Sequence, residues 1–126
     1  MQKIKRYDRT TVEGLKIYLL DMNNEKTTRS IRIGFPWSGL IFSMSDVAQI
    51  NWSNFKDIPD SEFPYEVTSK NDGDEIYVEL SDRENFYYAA LGFKSNKLKA
   101  GTTIRKAIKA CETIEELEAI EIEQNL

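Results

Sequence analysis

Histidine is absent from this 126-residue chain, which has one cysteine, three prolines and six glycines. Without imidazole there is no Ser-His or Cys-His nucleophilic pair and no histidine-dependent metal site. The single thiol, Cys111, cannot close an internal disulfide, which fits a reducing compartment. Long apolar runs are missing too. The longest, Phe86 to Phe93, has eight residues and contains Gly92, far short of the roughly 20 a membrane helix needs. Behind Met1-Gln2-Lys3-Ile4-Lys5-Arg6 there is no apolar stretch of the kind a secretory leader carries. These absences set the expectation of a cytoplasmic protein that does not enter a membrane.

Catalytic and metal motifs are equally sparse. Asp72-Gly73-Asp74-Glu75 lacks the ligand spacing of an EF-hand loop. Gly101-Thr102-Thr103 runs into Ile104 and is not a phosphate loop of the G-x-x-x-x-G-K-[ST] kind. No Glu-x-Lys follows Pro59-Asp60 at a distance useful to a nuclease. Cys111 sits on an apolar helical face with no base to activate it, so it reads as structural. The expectation is a protein with no enzyme activity, no metal and no cofactor.

What is present is a globular composition, with 40% apolar residues, 30% charged residues and fourteen aromatics. Residues 1–126 read as a single domain, strand-rich over 1–93 and with a basic loop and two helices over 94–126. Leu15, Ile17 and Leu19 alternate with polar neighbours, and so do Ile31, Ile33 and Phe35, which predicts a first hairpin around the polar residues 22–26. Leu40-Ile41-Phe42 predicts a short third strand, and Ser45-Asp46 a capped helical turn. Trp37, Trp52, Phe55 and Phe63 lie in or beside residues 45–64, a segment punctuated by Pro59 and Pro64. They either pin this connection onto the sheet or form an exposed contact surface.

The Asp72-Gly73 turn predicts a clear hairpin between residues 65–68 and 75–80, with Ile76, Val78 and Leu80 on its inner face. For residues 85–93, Ser81 with Glu84 allows a helix closed by Gly92, but Phe86-Tyr87-Tyr88 favours a strand, the reading adopted. Gly101-Thr102-Thr103 is expected to start a helix with Ile104, Ala107, Ile108 and Cys111 on one face. Thr113 with Glu116 forms a capping box for a second helix carrying Leu117, Ile120 and Ile122. The fold class expected is α+β, an antiparallel sheet of about four to six strands followed by two C-terminal helices.

Charge is segmented along the chain. Residues 1–33 carry a balance of +4, 34–93 of −8, 94–110 of +6 and 111–126 of −6, which leaves the net −4. Lys94, Lys97 and Lys99 precede Gly101, while Arg105, Lys106 and Lys109 follow it. Cations at a helix start oppose its dipole, and a docked anion would reverse that cost. Thr102, Arg105 and Lys109 share one stripe, so backbone, hydroxyl and guanidinium would meet a phosphate together. Phe86 or Tyr88 would stack a base beside it, with Lys97 and Asn96 in support, within one chain or across a homodimer interface. The bland counterpart is a solvated cationic face neutralised by the last helix, Lys106 or Lys109 against Glu115 or Glu116.

A second expectation starts from the ten carboxylates between Asp57 and Glu84. An acidic surface around Asp72, Asp74, Glu75 and Glu79 would engage a basic protein partner, such as one that handles nucleic acid. A structural or assembly subunit is the third reading. No family motif can be laid residue by residue on the chain. In size, acidity and composition it resembles small accessory proteins of phages or mobile elements, some of which block host defence by sequestering a nucleotide signal or masking a nuclease. The leading expectation, carried by Thr102, Thr103, Arg105 and Lys109, is a non-catalytic protein that holds a nucleotide-like ligand, a sequestering role if the resemblance extends to function. The net charge argues against bulk coating of DNA.

Overall fold

A computed structural model describes residues 8–71 and 73–120. Two compact units emerge, one made of residues 8–29 with 98–120 and the other of Ser30–Lys97. Helix is the main element in both. Helix α1 runs Val12–Arg32, α2 Asp46–Ser53, α3 Arg83–Ala110 and α4 Ile114–Glu118. Strands β1 (Phe35–Trp37) and β2 (Leu40–Phe42) form one antiparallel pair, and β3 (Tyr65–Thr68) and β4 (Glu75–Val78) another. The protein is therefore α+β with C-terminal helices, but its strands form two separate two-stranded sheets among the described residues.

The first predicted hairpin is helix α1 instead. Leu15, Leu19 and Met22 are four and three apart, so they also share a helical face, and that spacing prevails over the alternation. Ile17, which the strand reading placed inside, is 53% exposed. The Thr11 hydroxyl accepts the Gly14 N–H at 3.0 Å and caps the start. At the other end the Gly34 N–H donates to the Ile31 carbonyl at 3.2 Å. Gly34 has φ +111°, and a Cβ there would stand 2.5 Å from the Phe42 carbonyl oxygen. Only glycine fits both demands.

Phe35 pairs with Phe42 and Trp37 with Leu40 across a two-residue turn whose Ser38 and Gly39 both have positive φ, the twist that suits a tight hairpin. The Ser45 hydroxyl caps α2 by accepting the Ala48 N–H, as its sequence position predicts. The Asp-Gly hairpin also forms as predicted, with Val67 and Val78 buried and Ile76 half-buried on its inner side. Leu80 leaves the strand for a short 3-10 turn at Leu80–Asp82 and is exposed. Ile41 joins the hairpins: its carbonyl accepts the Lys70 N–H and its N–H donates to the Asn71 side chain, both at 2.7 Å.

The larger correction concerns α3, which runs unbroken for 28 residues. Residues 85–93 are helix rather than strand, because Phe86, Ala90 and Phe93 share a face, the first two fully buried. Gly101 is mid-helix and starts nothing. Its carbonyl accepts the Asn23 side-chain N–H at 2.9 Å, and a Cβ on it would stand 2.5 Å from the Thr27 hydroxyl. Gly101 is a packing glycine, required by the close approach of α1 rather than by a turn. The Thr113 cap of α4 is as predicted, its hydroxyl accepting the Glu116 N–H, while the Glu116 carboxylate returns to the Glu112 N–H, one residue before the cap. Ile122 lies outside the described residues.

Each unit has its own core. Around Leu15, Ile108, Cys111 and Leu117 gather Val12, Leu19, Ile104 and Ile120. Ala107, expected on that face, is exposed. Within Ser30–Lys97 the core is aromatic. The Phe86 ring centroid lies 4.7 Å from Phe55, 5.3 Å from Phe35 and Trp52, and 5.4 Å from Trp37 and Phe42. Trp37, Trp52, Phe55 and Phe63 thus pin the 45–64 connection inward. Phe86→Ala is expected to lower unfolding free energy by about 3–5 kcal/mol, read from the midpoint of urea denaturation.

Candidate functional site

The features expected to hold phosphate are not assembled as the sequence reading required. Thr102 and Thr103 lie within α3, where main-chain N–H groups serve the helix itself, so no free set of donors exists there. The Thr103 hydroxyl donates back to the Lys99 carbonyl at 3.1 Å. The electrostatic sign also reverses. Arg105, Lys106 and Lys109 stand toward the C-terminal end of α3, and Lys109 is in its last turn, where the dipole favours a cation without any bound anion.

The ligand-side aromatics separate as well. Phe86 is fully buried and cannot stack on an arriving base, whereas Tyr88 is 64% exposed. Asn96 is exposed. The half-buried Lys97 holds its ammonium 5.4 Å from the Phe93 ring centroid. Arg105 and Lys109 are exposed. The counter-reading is not realised either, since neither Lys106 nor Lys109 forms an ion pair with Glu115 or Glu116 among the described residues.

A more coherent arrangement lies on the β3–β4 hairpin. Its register sets Glu66 opposite Tyr77 and Thr68 opposite Glu75, so these four side chains share the outer face. All four are exposed, as are Asp74 and Glu79. Asp72 lies outside the described residues. The Tyr77 hydroxyl donates to the Glu66 carboxylate at 3.0 Å. Hydrogen bonds from Glu75 and then Tyr77 hold the Glu66 carboxyl below its ordinary range. The shared hydrogen bond and the repulsion from Glu66 push Glu75 up, and the same carboxylate raises Tyr77. Among the described residues no cation pairs with Glu66, Asp74, Glu75 or Glu79.

Beside this face runs a groove of about 500 Å³, within the usual size of ligand pockets. Tyr65, Glu66, Val67 and Thr68 form the β3 wall, and the end of α2 with the following 3-10 turn forms the other through Asn51, Trp52, Asn54, Phe55 and Ile58. Sequence reasoning places Glu66 among the ten carboxylates of the acidic segment without singling it out, and it misses the groove. The alternation of residues 65–68 did signal that Glu66 faces outward; the approach of α2 to β3 carries no local signal. No three acidic or sulfur side chains converge as metal ligands, and no helix is long and apolar enough to cross a membrane, among the described residues.

The two carboxylates give a pH signature. Glu75, raised, favours the folded chain while protonated, and that contribution is lost as pH climbs through its raised value. Glu66, lowered, contributes above its unfolded value and loses this as pH falls through the lowered one. Glu75→Gln removes the repulsion and keeps a donor for Glu66. Its melting temperature is expected to exceed wild type slightly at neutral pH and to converge with it in acid, as followed by circular dichroism.

No family model, curated protein or solved structure matches this chain.

Proposed function

We propose that this chain is a non-catalytic binding protein that engages a basic protein partner through the acidic outer face of the β3–β4 hairpin. The observation that carries the reading is the exposed pair Glu66 and Glu75, diagonal neighbours on the outer face of the hairpin, beside a groove and with no cation paired to either among the described residues. Like charges at that spacing are mutually unfavourable, and a partner's Lys or Arg would relieve them. The surrounding segment 34–93 has eleven acidic and three basic residues, so a basic surface is attracted from a distance and repelled by little. A protein that handles nucleic acid offers such a surface. Masking it is an activity that needs no catalytic group.

The test is fluorescence anisotropy with a labelled ten-lysine peptide at low ionic strength. The Glu66→Gln/Glu75→Gln double variant is expected to bind about tenfold more weakly, with a shallower salt dependence. Equal affinity for both proteins would remove the support for this reading.

A second reading, a nucleotide-like ligand held by Arg105 and Lys109, keeps one observation in its favour. Both side chains are exposed and make no ion pair among the described residues. It competes on a simple measurement, thermal shift against a panel of nucleotides and cyclic nucleotides. A ligand at 100 times its dissociation constant stabilises by about 2.7 kcal/mol. The protein-partner reading expects no shift, and a shift abolished by Arg105→Glu would favour the nucleotide instead.

A further inference from the structure

The open edge of β3 says how a basic partner would be held. In an antiparallel pair, residues alternately exchange both main-chain bonds with the partner strand or turn both groups outward. The Ser69 N–H donates to the Asp74 carbonyl at 2.7 Å, which fixes the phase of the ladder. Val67 and Tyr65 therefore bond across to Ile76 and Val78, while the N–H and carbonyl groups of Glu66 and Thr68 point away from β4. Two residues further on, this outward edge is already in use, because the Lys70 N–H donates to the Ile41 carbonyl of β2. Then β2 ends at Phe42, and no strand lies against Glu66 and Thr68 among the described residues. The groove occupies that place.

We propose that an extended, basic segment of a protein partner lies in this groove as an added antiparallel strand, bonded to the main chain of Glu66 and Thr68. The inference rests on the basic-partner reading and deepens it by naming the conformation recognised. Strand addition takes affinity from main-chain bonds and specificity from alternate side chains. Residues paired with Glu66 and Thr68 turn their side chains to the outer face, where the carboxylates of Glu66 and Glu75 call for Lys or Arg. The residue between them turns to the inner side, toward the wall of Trp52, Phe55 and Ile58, and is apolar. Asn51 and Asn54 on that wall offer amide donors and acceptors to the far edge of the guest. The segment recognised thus alternates basic, apolar, basic. The short β3, preceded by Pro64, limits the match to a few residues.

The experiment uses the full chain and a labelled peptide Lys-Val-Lys-Val-Lys with blocked ends. A second peptide is N-methylated at its lysines, whose N–H groups would face β3. Losing these donors is expected to weaken binding about tenfold. Thr68→Pro removes an outward N–H that β4 does not use, and it is expected to weaken the parent peptide severalfold while the circular dichroism spectrum is kept. If methylated and parent peptides bind equally while Glu66→Gln/Glu75→Gln weakens both, strand addition is overturned and the acidic-face reading stands. If the double variant binds the parent peptide as tightly as wild type, the underlying reading falls with it. Should Thr68→Pro not fold, the methylated peptide decides the matter alone.

Discussion

The packing of one ring, Phe86, governs the unit Ser30–Lys97. Five other aromatic rings meet it at centroid distances of 4.7 to 5.4 Å, drawn from β1, β2, α2 and the adjoining turns. Two sheets of two strands each bury too little to stand alone. Here the inner faces of both belong to one core with Phe86 and Ala90 of α3. Edge-to-face contacts dominate the cluster, with interplanar angles of 73° to 78° for four of the five, the arrangement favoured by aromatic quadrupoles. The same packing holds Trp52 and Phe55 in place, and these two side chains form the wall of the groove opposite β3. Core and candidate site share their residues.

How much of this could be read from the residues depends on whether the deciding interaction was local. The Ser45 cap, the Thr113 cap and the Asp-Gly hairpin all depend on neighbours within a few positions, and all are present. Where two periodicities fitted the same letters, the choice lay elsewhere in the chain. Leu15 and Leu19 suit a strand or a helix equally well, and the core around Ile108 and Leu117 selects the helix. Phe86-Tyr87-Tyr88 has strand propensity, but a position every three to four residues is what the aromatic cluster requires. Tertiary packing overrides propensity in both cases.

Gly101 illustrates a different limit. A glycine followed by two threonines and a cationic run resembles a helix start, and a phosphate site at these residues depends on that start. What makes it a glycine is Thr27, 74 positions earlier in the sequence. The buried Asn23 makes the point chemically, since its amide N–H donates to the Gly101 carbonyl while its side-chain oxygen has no hydrogen-bond partner. Polar groups thus line the crossing of α1 and α3, at a place that pattern reading would assign to apolar packing. Once α3 is continuous, Arg105, Lys106 and Lys109 lie toward the end that welcomes them. The acidic middle segment becomes the part of the charge pattern that still calls for a partner.

Ile41 has a consequence for motion. Its carbonyl and N–H are both engaged by the Lys70–Asn71 stretch, so the β1–β2 hairpin is tied to the strand that borders the groove. Neither hairpin can peel away while these bonds persist, and the two form a single opening unit in the sense of cooperative local unfolding. Amide exchange at Ile41 and Lys70 then reports the same event. A strand seated against Glu66 and Thr68 would slow exchange at both, although it touches only β3.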